Sequence, residues 1–282
     1  MEVMKKILVP TDFSQRAKEA LDFAIQFNEK LNGKIILMHV LEFPYESYDI
    51  VAEIDLPSVK EVYHNDFIDR VHARLSDLAS SIPEGVEFET KIKYGHAYVS
   101  ISREIAEEQV DYIIMGSKGA SGLKEIFVGS VAEKVIRNAD CPVITVKGPA
   151  DLRQMKSFVF ASDLTEEQDF IAHQMKDLQE LLDLNVHLLK VKTPHNFLSE
   201  NKANEQLDAF VKRNYLDRIT KNTIEAEYSD EGIVDFAEGI GAGMIVMGTH
   251  GKTGLAHLFG GSRAEDVANE SQIPVMTYKI NL

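Results

Sequence analysis

Residues 116–130 read GSKGASGLKEIFVGS, and the spacing of their glycines suits them to hold an anion. Two residues separate Gly116 from Gly119, and nine more precede the pair Gly129-Ser130. Glycine lets backbone N–H groups approach a ligand with no Cβ in the way. The segment begins where the apolar run 112–115 ends, and it hands over to a helical pattern at 131–138. A helix N-terminus adds free N–H groups and a favourable dipole. The same arrangement returns at 248–262, GTHGKTGLAHLFGGS, with Gly248, Gly251 and Gly261-Ser262 at the same spacing. Each copy leads to an X-Pro-Val sequence, Cys141-Pro142-Val143 and Ile273-Pro274-Val275. The chemistry implied is a phosphate cradle, and the chain carries it twice, as an internal duplication.

Rival motifs fail on their own terms. Gly251-Lys252-Thr253 invites a P-loop, but the glycine that motif needs five residues earlier is Val246, inside an apolar run. Gly239-Ile240-Gly241 precedes its strand, where a dinucleotide fingerprint must follow one, and reads as a helix stop. Lys118 and Lys124 accompany the first cradle, and His250, Lys252, His257 and Arg263 the second, so the second is the more electropositive. Lys252 is placed to screen phosphate charge. Asp12 and Asp163 follow the first strand of each half, where a carboxylate can accept from ribose hydroxyls or cap a helix. No HExxH, CxxC, nucleophile elbow or triad occurs. No catalytic or metal-ligating set is assigned, and the expectation is a binding module with slow hydrolysis at most.

The elements that position the cradles alternate. Apolar runs at 7–9 (ended by Pro10), 35–40, 88–94, 112–115 and 143–146 predict five strands in the first half. Helical periodicity falls between them, as in Ala17, Ala20, Leu21, Ala24 and Phe27, or Val71, Leu75 and Leu78. The second half repeats the plan with strands at 158–160, 186–191, 225–228, 244–247 and 275–278. There Leu207, Phe210, Val211, Leu216 and Ile219 predict one amphipathic helix. The fold class is α/β: two tandem Rossmann-like units, each a five-stranded mostly parallel sheet with helices on both faces. Their expected bounds are 1–147 and 155–282, joined by a polar linker at 148–154. Asp12, Val40 and Gly116 fall at carboxyl ends of strands, where such sheets bind ligands.

Composition narrows the partners. The chain of 282 residues carries a formal charge of −15. Residues 1–148 hold 17 Lys and Arg against 24 Asp and Glu, and the remainder 13 against 21, so the acidity is spread over both halves. That opposes wrapping a nucleic acid. A single cysteine excludes an intrachain disulfide framework, and Cys141 beside a proline reads as a small buried filler. No apolar run approaches the length of a membrane span and no leader is apparent, so a cytoplasmic protein is expected.

With its glycine spacing, strand context and repetition, the chain resembles the universal stress protein family in its tandem two-domain form, and the family's ATP-binding branch in particular. The resemblance runs over 5–146 and 155–279. It implies a stress-response or signalling module with ATP as ligand and Mg²⁺ as its optional companion; the alternatives are a weak ATPase and a non-nucleotide protein-interaction module whose glycine loops are structural. Asp12 would contact ribose and the backbone of Val40 the adenine, while Gly116, Gly119, Gly129 and Ser130 would hold phosphates. The second-half counterparts would be Asp163, Val191, Gly248, Gly251, Gly261 and Ser262. It further implies that the last strands of the two halves pair within the chain as a pseudo-dimer, with a homodimer as a further possibility. The halves depart from each other in two places. Val9-Pro10-Thr11-Asp12 is matched by Phe160-Ala161-Ser162-Asp163, without the proline. Tyr94-Gly95-His96 is matched by Tyr228-Ser229-Asp230, an acidic replacement that argues against the second site.

Overall fold

The structure, a computed structural model, describes residues 4–42, 57–117, 129–196, 198–250 and 263–280; of 57–65, 250 and 263 it describes the backbone alone. In the first half the order is β1 (Lys6–Thr11), α1 (Gln15–Leu31), β2 (Lys34–Leu41), α2 (Pro57–Ala79), β3 (Glu87–Tyr94), α3 (Ala97–Glu108), β4 (Tyr112–Gly116), α4 (Ser130–Asn138) and β5 (Val143–Val146). The second half gives β6 (Ser157–Ala161), α5 (Asp169–Leu182), β7 (Asn185–Lys192), α6 (Glu200–Arg213), β8 (Ile219–Glu225), α7 (Ser229–Gly239), β9 (Ile245–His250), α8 (Arg263–Glu270) and β10 (Val275–Ile280).

The strands form one ten-stranded sheet, in the order β3-β2-β1-β4-β5-β10-β9-β6-β7-β8. Every pairing is parallel except the central β5–β10, which is antiparallel, with Met276 opposite Ile144. The order reads as the same five-strand series from either end, so the two halves meet about a pseudo-twofold axis at β5–β10. Thr145 and Thr277 occupy equivalent places there, and each hydroxyl donates across to the other strand, to Val275 O and Val143 O, at 3.3 Å. The apolar last strands thus bury each other and leave no open edge in the middle of the molecule.

Alternation along the strands splits the core in two. Ile7, Val9, Ile35 and Leu37 join Phe23 and Phe27 of α1, Leu75 of α2, and Met175 and Phe210 of the second half on one face. Leu8, Ile36 and Met38 join Ile101 of α3 and Val135 of α4 on the other, with Ile233 and Val267 of the second half. Strands buried on both sides read as continuous apolar runs. The outer strands β3 and β8 break that pattern with charge. On β3, Lys91 reaches Glu89 at 3.0 Å and the buried Glu104 at 2.6 Å, which keeps the edge unattractive to another strand.

Three sequence expectations shift. β1 runs through Pro10 to Thr11; its pairing with β4 is confined to Ile7 and Leu8, so the proline interrupts no ladder there. The helix expected to reach Ile219 stops at Arg213, and Tyr215 and Arg218 turn the chain with φ of 52° and 49°. Ile219 then opens β8, so the strand expected at 225–228 has Glu225 as its last residue. The segment between the halves is pinned to α1: Gln26 donates to Ala150 O at 3.2 Å and accepts from Leu152 N at 2.8 Å.

Candidate functional site

At the carboxyl end of the first-half sheet a cavity of about 380 Å³ opens between β1, β2, β4 and the start of α4. Thr11 and Asp12 line it from β1, Met38 and Val40 from β2, and Gly116 and Ser117 from β4; Gly129, Ser130 and Val131 close it at α4, and Ala97 and Ile101 of α3 add an apolar wall. Asp12, Val40, Gly116, Gly129 and Ser130, nominated from sequence, therefore lie around one space. Gly119 lies outside the described residues, as do Gly251, Lys252, Gly261 and Ser262 of the second cradle, and with them Lys118, Lys124 and His257.

The β1 end is shaped by a local turn. Asp12 Oδ1 accepts from Ser14 N at 3.0 Å, and Ser14 Oγ, not Asp12, caps α1 by accepting from Ala17 N. Phe13 takes φ of 64°, and its N–H turns back onto Thr11 Oγ1 at 3.0 Å. This has a consequence for β2. Successive carbonyls of a strand face alternate neighbours. Leu41 O faces β3, where it accepts from Gly95 N at 3.0 Å, so Val40 O faces β1. The donor that would continue the ladder there is Phe13 N–H, which the turn has diverted. Val40 itself lines the cavity, so this end of β2 borders it without that ladder bond.

The β4 end supplies donors. The chain leaves the sheet at Ser117 and returns at Gly129, whose N–H donates to Ser117 O at 2.8 Å. Gly129 is the N-cap of α4 and offers no side chain to the first turn, whose N–H groups open toward the cavity through Ser130, Val131 and Ala132. Ser117 is 2% exposed, and its hydroxyl has no hydrogen-bond partner among the described residues. A buried orphan hydroxyl costs stability unless something occupies it, and this one lines the cavity. Gly116 is required by space, because a Cβ there would stand 2.9 Å from the Arg16 backbone.

His39 also borders the cavity. Its Nδ1 lies 2.7 Å from Thr11 O, an acceptor, so Nδ1 carries the proton and Nε2 is the acceptor of the neutral ring. The ring stacks on Phe13 (4.4 Å), which Arg74 covers with its guanidinium carbon 4.4 Å from the ring centre. Burial lowers the His39 pKa, against the Thr11 hydrogen bond that raises it. Neither His39 nor Ser117 was nominated from sequence. Ser117 sits between two flagged glycines' positions, and no spacing rule marks it. Burial pushes the Cys141 thiol up to about 12, which disfavours the thiolate. Among the described residues no three His, Cys, Asp or Glu side chains gather as a metal site.

The second half repeats the β1 turn. Leu164 takes φ of 68° and donates to Ser162 Oγ at 3.0 Å, and Asp163 Oδ1 accepts from the Thr165 hydroxyl at 3.1 Å. The counterpart of Gly95 is Ala226, not Ser229: Ala226 N donates to Lys192 O at 3.0 Å just as Gly95 N does to Leu41 O. The shift follows from the earlier β8 strand and one extra residue before α7. Gly232 makes room for it, since a Cβ there would lie 2.7 Å from Ala226 Cβ.

The universal stress protein family model matches residues 4–147 and again 155–279. The chain belongs to the universal stress protein family and consists of two tandem domains of it. Universal stress protein MJ0577 of Methanocaldococcus jannaschii is 36% identical over 158 residues, 52% of this chain and 98% of the relative. A universal stress protein of Synechocystis is 22% identical over 299 residues, with 98% of this chain and all of the relative covered. Among solved structures, a universal stress protein from Archaeoglobus fulgidus shares the fold over 98% of both chains, with a TM-score of 0.76 at 22% identity. No helix among the described residues is long and apolar enough to cross a membrane.

Proposed function

We propose that this stress-response protein is a nucleotide-responsive module of the cytoplasm whose first domain binds an adenine nucleotide, ATP before others. The observation that carries the reading is the convergence, on one cavity of about 380 Å³, of Val40 at the end of β2, a carboxylate at Asp12 and the uncapped first-turn donors of α4 at Ser130, Val131 and Ala132. Each fits one part of the ligand. The Val40 carbonyl accepts from the 6-amino group of adenine; guanine would set its 6-oxo acceptor against that carbonyl. Met38, Ala97 and Ile101 offer apolar contact to the base. Asp12 accepts from ribose hydroxyls. The first turn of α4 and the Ser117 hydroxyl suit phosphate oxygens, which helix N-termini attract. Gly119 completes the cradle in this reading.

Calorimetric titration of the full chain with ATP, ADP and GTP, with and without Mg²⁺, tests it. ATP is expected to bind below millimolar concentration and GTP more weakly. Absence of heat or thermal stabilisation with any adenine nucleotide at millimolar concentration would overturn the proposal.

A further inference from the structure

We propose that the second domain's crevice is closed to adenine by the chain's own Asn196, so that the two-domain protein holds one nucleotide. The inference rests on the reading of the first crevice given above. β7 repeats β2 residue for residue: Lys192 O faces β8, as Leu41 O faces β3, so Val191 O faces β6 as Val40 O faces β1. The Leu164 turn diverts the donor that would have met it, again as in the first half. In the second half, however, the carbonyl is already taken. Asn196 Nδ2 donates to Val191 O at 3.4 Å. The same carboxamide accepts from Thr193 N at 2.6 Å and from the Thr193 hydroxyl at 3.2 Å, and Asn196 N donates to Thr193 O at 3.0 Å. A side-chain amide thus presents to Val191 the N–H that the 6-amino group of adenine would present to Val40, and four hydrogen bonds hold it there.

Chain length makes this possible. Seven residues, 193–199, join β7 to α6, where fifteen, 42–56, join β2 to α2. The short connection brings Asn196 back over its own strand. Three further differences act in the same direction. Lys190 stands at the place of His39 and donates to Asp163 O at 2.8 Å, so an imidazole with an acceptor nitrogen is replaced by a group that has no acceptor. The first turn of α7 carries Asp230 and Glu231, where that of α3 carries no acidic residue. On α8, Asp266 stands where α4 has Lys134. Burial, and after it the charge of Asp230, raise the carboxyls of Asp266 and Glu270. Those carboxylates oppose a polyphosphate at the second domain.

The test is a stoichiometry with a map. Calorimetry of the full chain with ATP is expected to give about one site per chain. Photolabelling with 8-azido-ATP, followed by peptide mass spectrometry, is expected to mark residues 4–147 alone. Two sites per chain, or label in 155–279 at comparable yield, overturns this inference and leaves the nucleotide reading standing. No uptake and no label in either half overturns both. A triple variant, Asn196→Ala with Asp230→Asn and Asp266→Asn, is expected to gain label in the second domain at millimolar probe. If the triple variant is folded by circular dichroism and its second domain stays unlabelled, the assignment to Asn196 and the carboxylates fails.

Discussion

Gly129 donates its backbone N–H to the carbonyl of Ser117, which ties the start of α4 to the end of β4, and the buried Ser117 hydroxyl beside it has no partner among the described residues. A hydroxyl in that condition is a liability in the empty protein and an asset once a phosphate oxygen accepts from it. Ser117→Ala is therefore expected to weaken ATP about tenfold, the loss of one hydrogen bond to a charged group. The ligand-free melting temperature should stay level or rise slightly, because the substitution removes an unsatisfied buried polar atom. Titration and thermal unfolding on the same variant check the pair of outcomes; a fall in both would mark Ser117 as structural.

The duplication, and the places of Gly116 at a strand end and Gly129 at a helix start, were legible in the sequence because glycine spacing and buried parallel strands leave strong, regular traces. Gly116 and Gly129 could be nominated as they stand. β8 was misread because its residues, Thr220 to Thr223, are polar at an exposed edge, whereas Leu216 and Ile219 extended a helical rhythm beyond the turn at Tyr215. Apart from the pairing of the two last strands, which the resemblance implied, the sheet order was not legible, since pairing between distant strands leaves no local mark. Ser117, His39 and Asn196 were missed for a shared reason. Each matters through a hydrogen bond made or left unmade where a strand ladder ends, and that depends on the turn at Phe13 or Leu164, not on spacing.

Arg137 of α4 clasps Glu265 of α8 across the pseudo-twofold, with Nε to Oε1 at 2.8 Å and Nη2 to Oε2 at 2.6 Å. Glu265 is buried, and Asn269 holds the place equivalent to Arg137, so the pair has no symmetry mate of its own kind. Arg137→Ala leaves a buried carboxylate without its bidentate partner and is expected to cost about 2 kcal/mol in urea unfolding. Arg137→Lys should recover only part of that, because an ammonium cannot make both bonds at once.

Asp266 gives a pH dependence of defined sign. Burial first, then Asp230 and Glu265, raise its folded pKa. The unfolded carboxyl ionises first, so the folded chain holds more protons, and stability falls as pH climbs from the ordinary carboxylate range through the raised value. Asp266→Asn removes that loss. Its unfolding free energy is expected to exceed that of the parent at neutral pH by about 0.5 kcal/mol, and to converge with it near about pH 3. A variant less stable at neutral pH would show that the carboxylate serves a hydrogen bond outweighing its repulsion.

His39 gives the opposite sign. Burial lowers its folded pKa below 6.5, aided by Arg74 and opposed by the Thr11 hydrogen bond and by Asp12. The unfolded chain therefore takes up a proton first as pH falls, and stability is lost from the ordinary imidazole range downward until the folded ring protonates as well. Glu108, held down to about 2 chiefly by Lys6 and Lys91, does not titrate in that window. Asp266 and Glu270 act there in the stabilising direction, so the parent's profile alone is a composite. His39→Gln keeps a donor for Thr11 O and cannot protonate. Its midpoint is expected to change less between about pH 7 and pH 5 than the parent's, and subtraction of the two profiles isolates the imidazole. A parent curve that runs parallel to the variant's across this range would place the His39 ring in a site that accepts the charge, and would remove burial as the dominant influence on it.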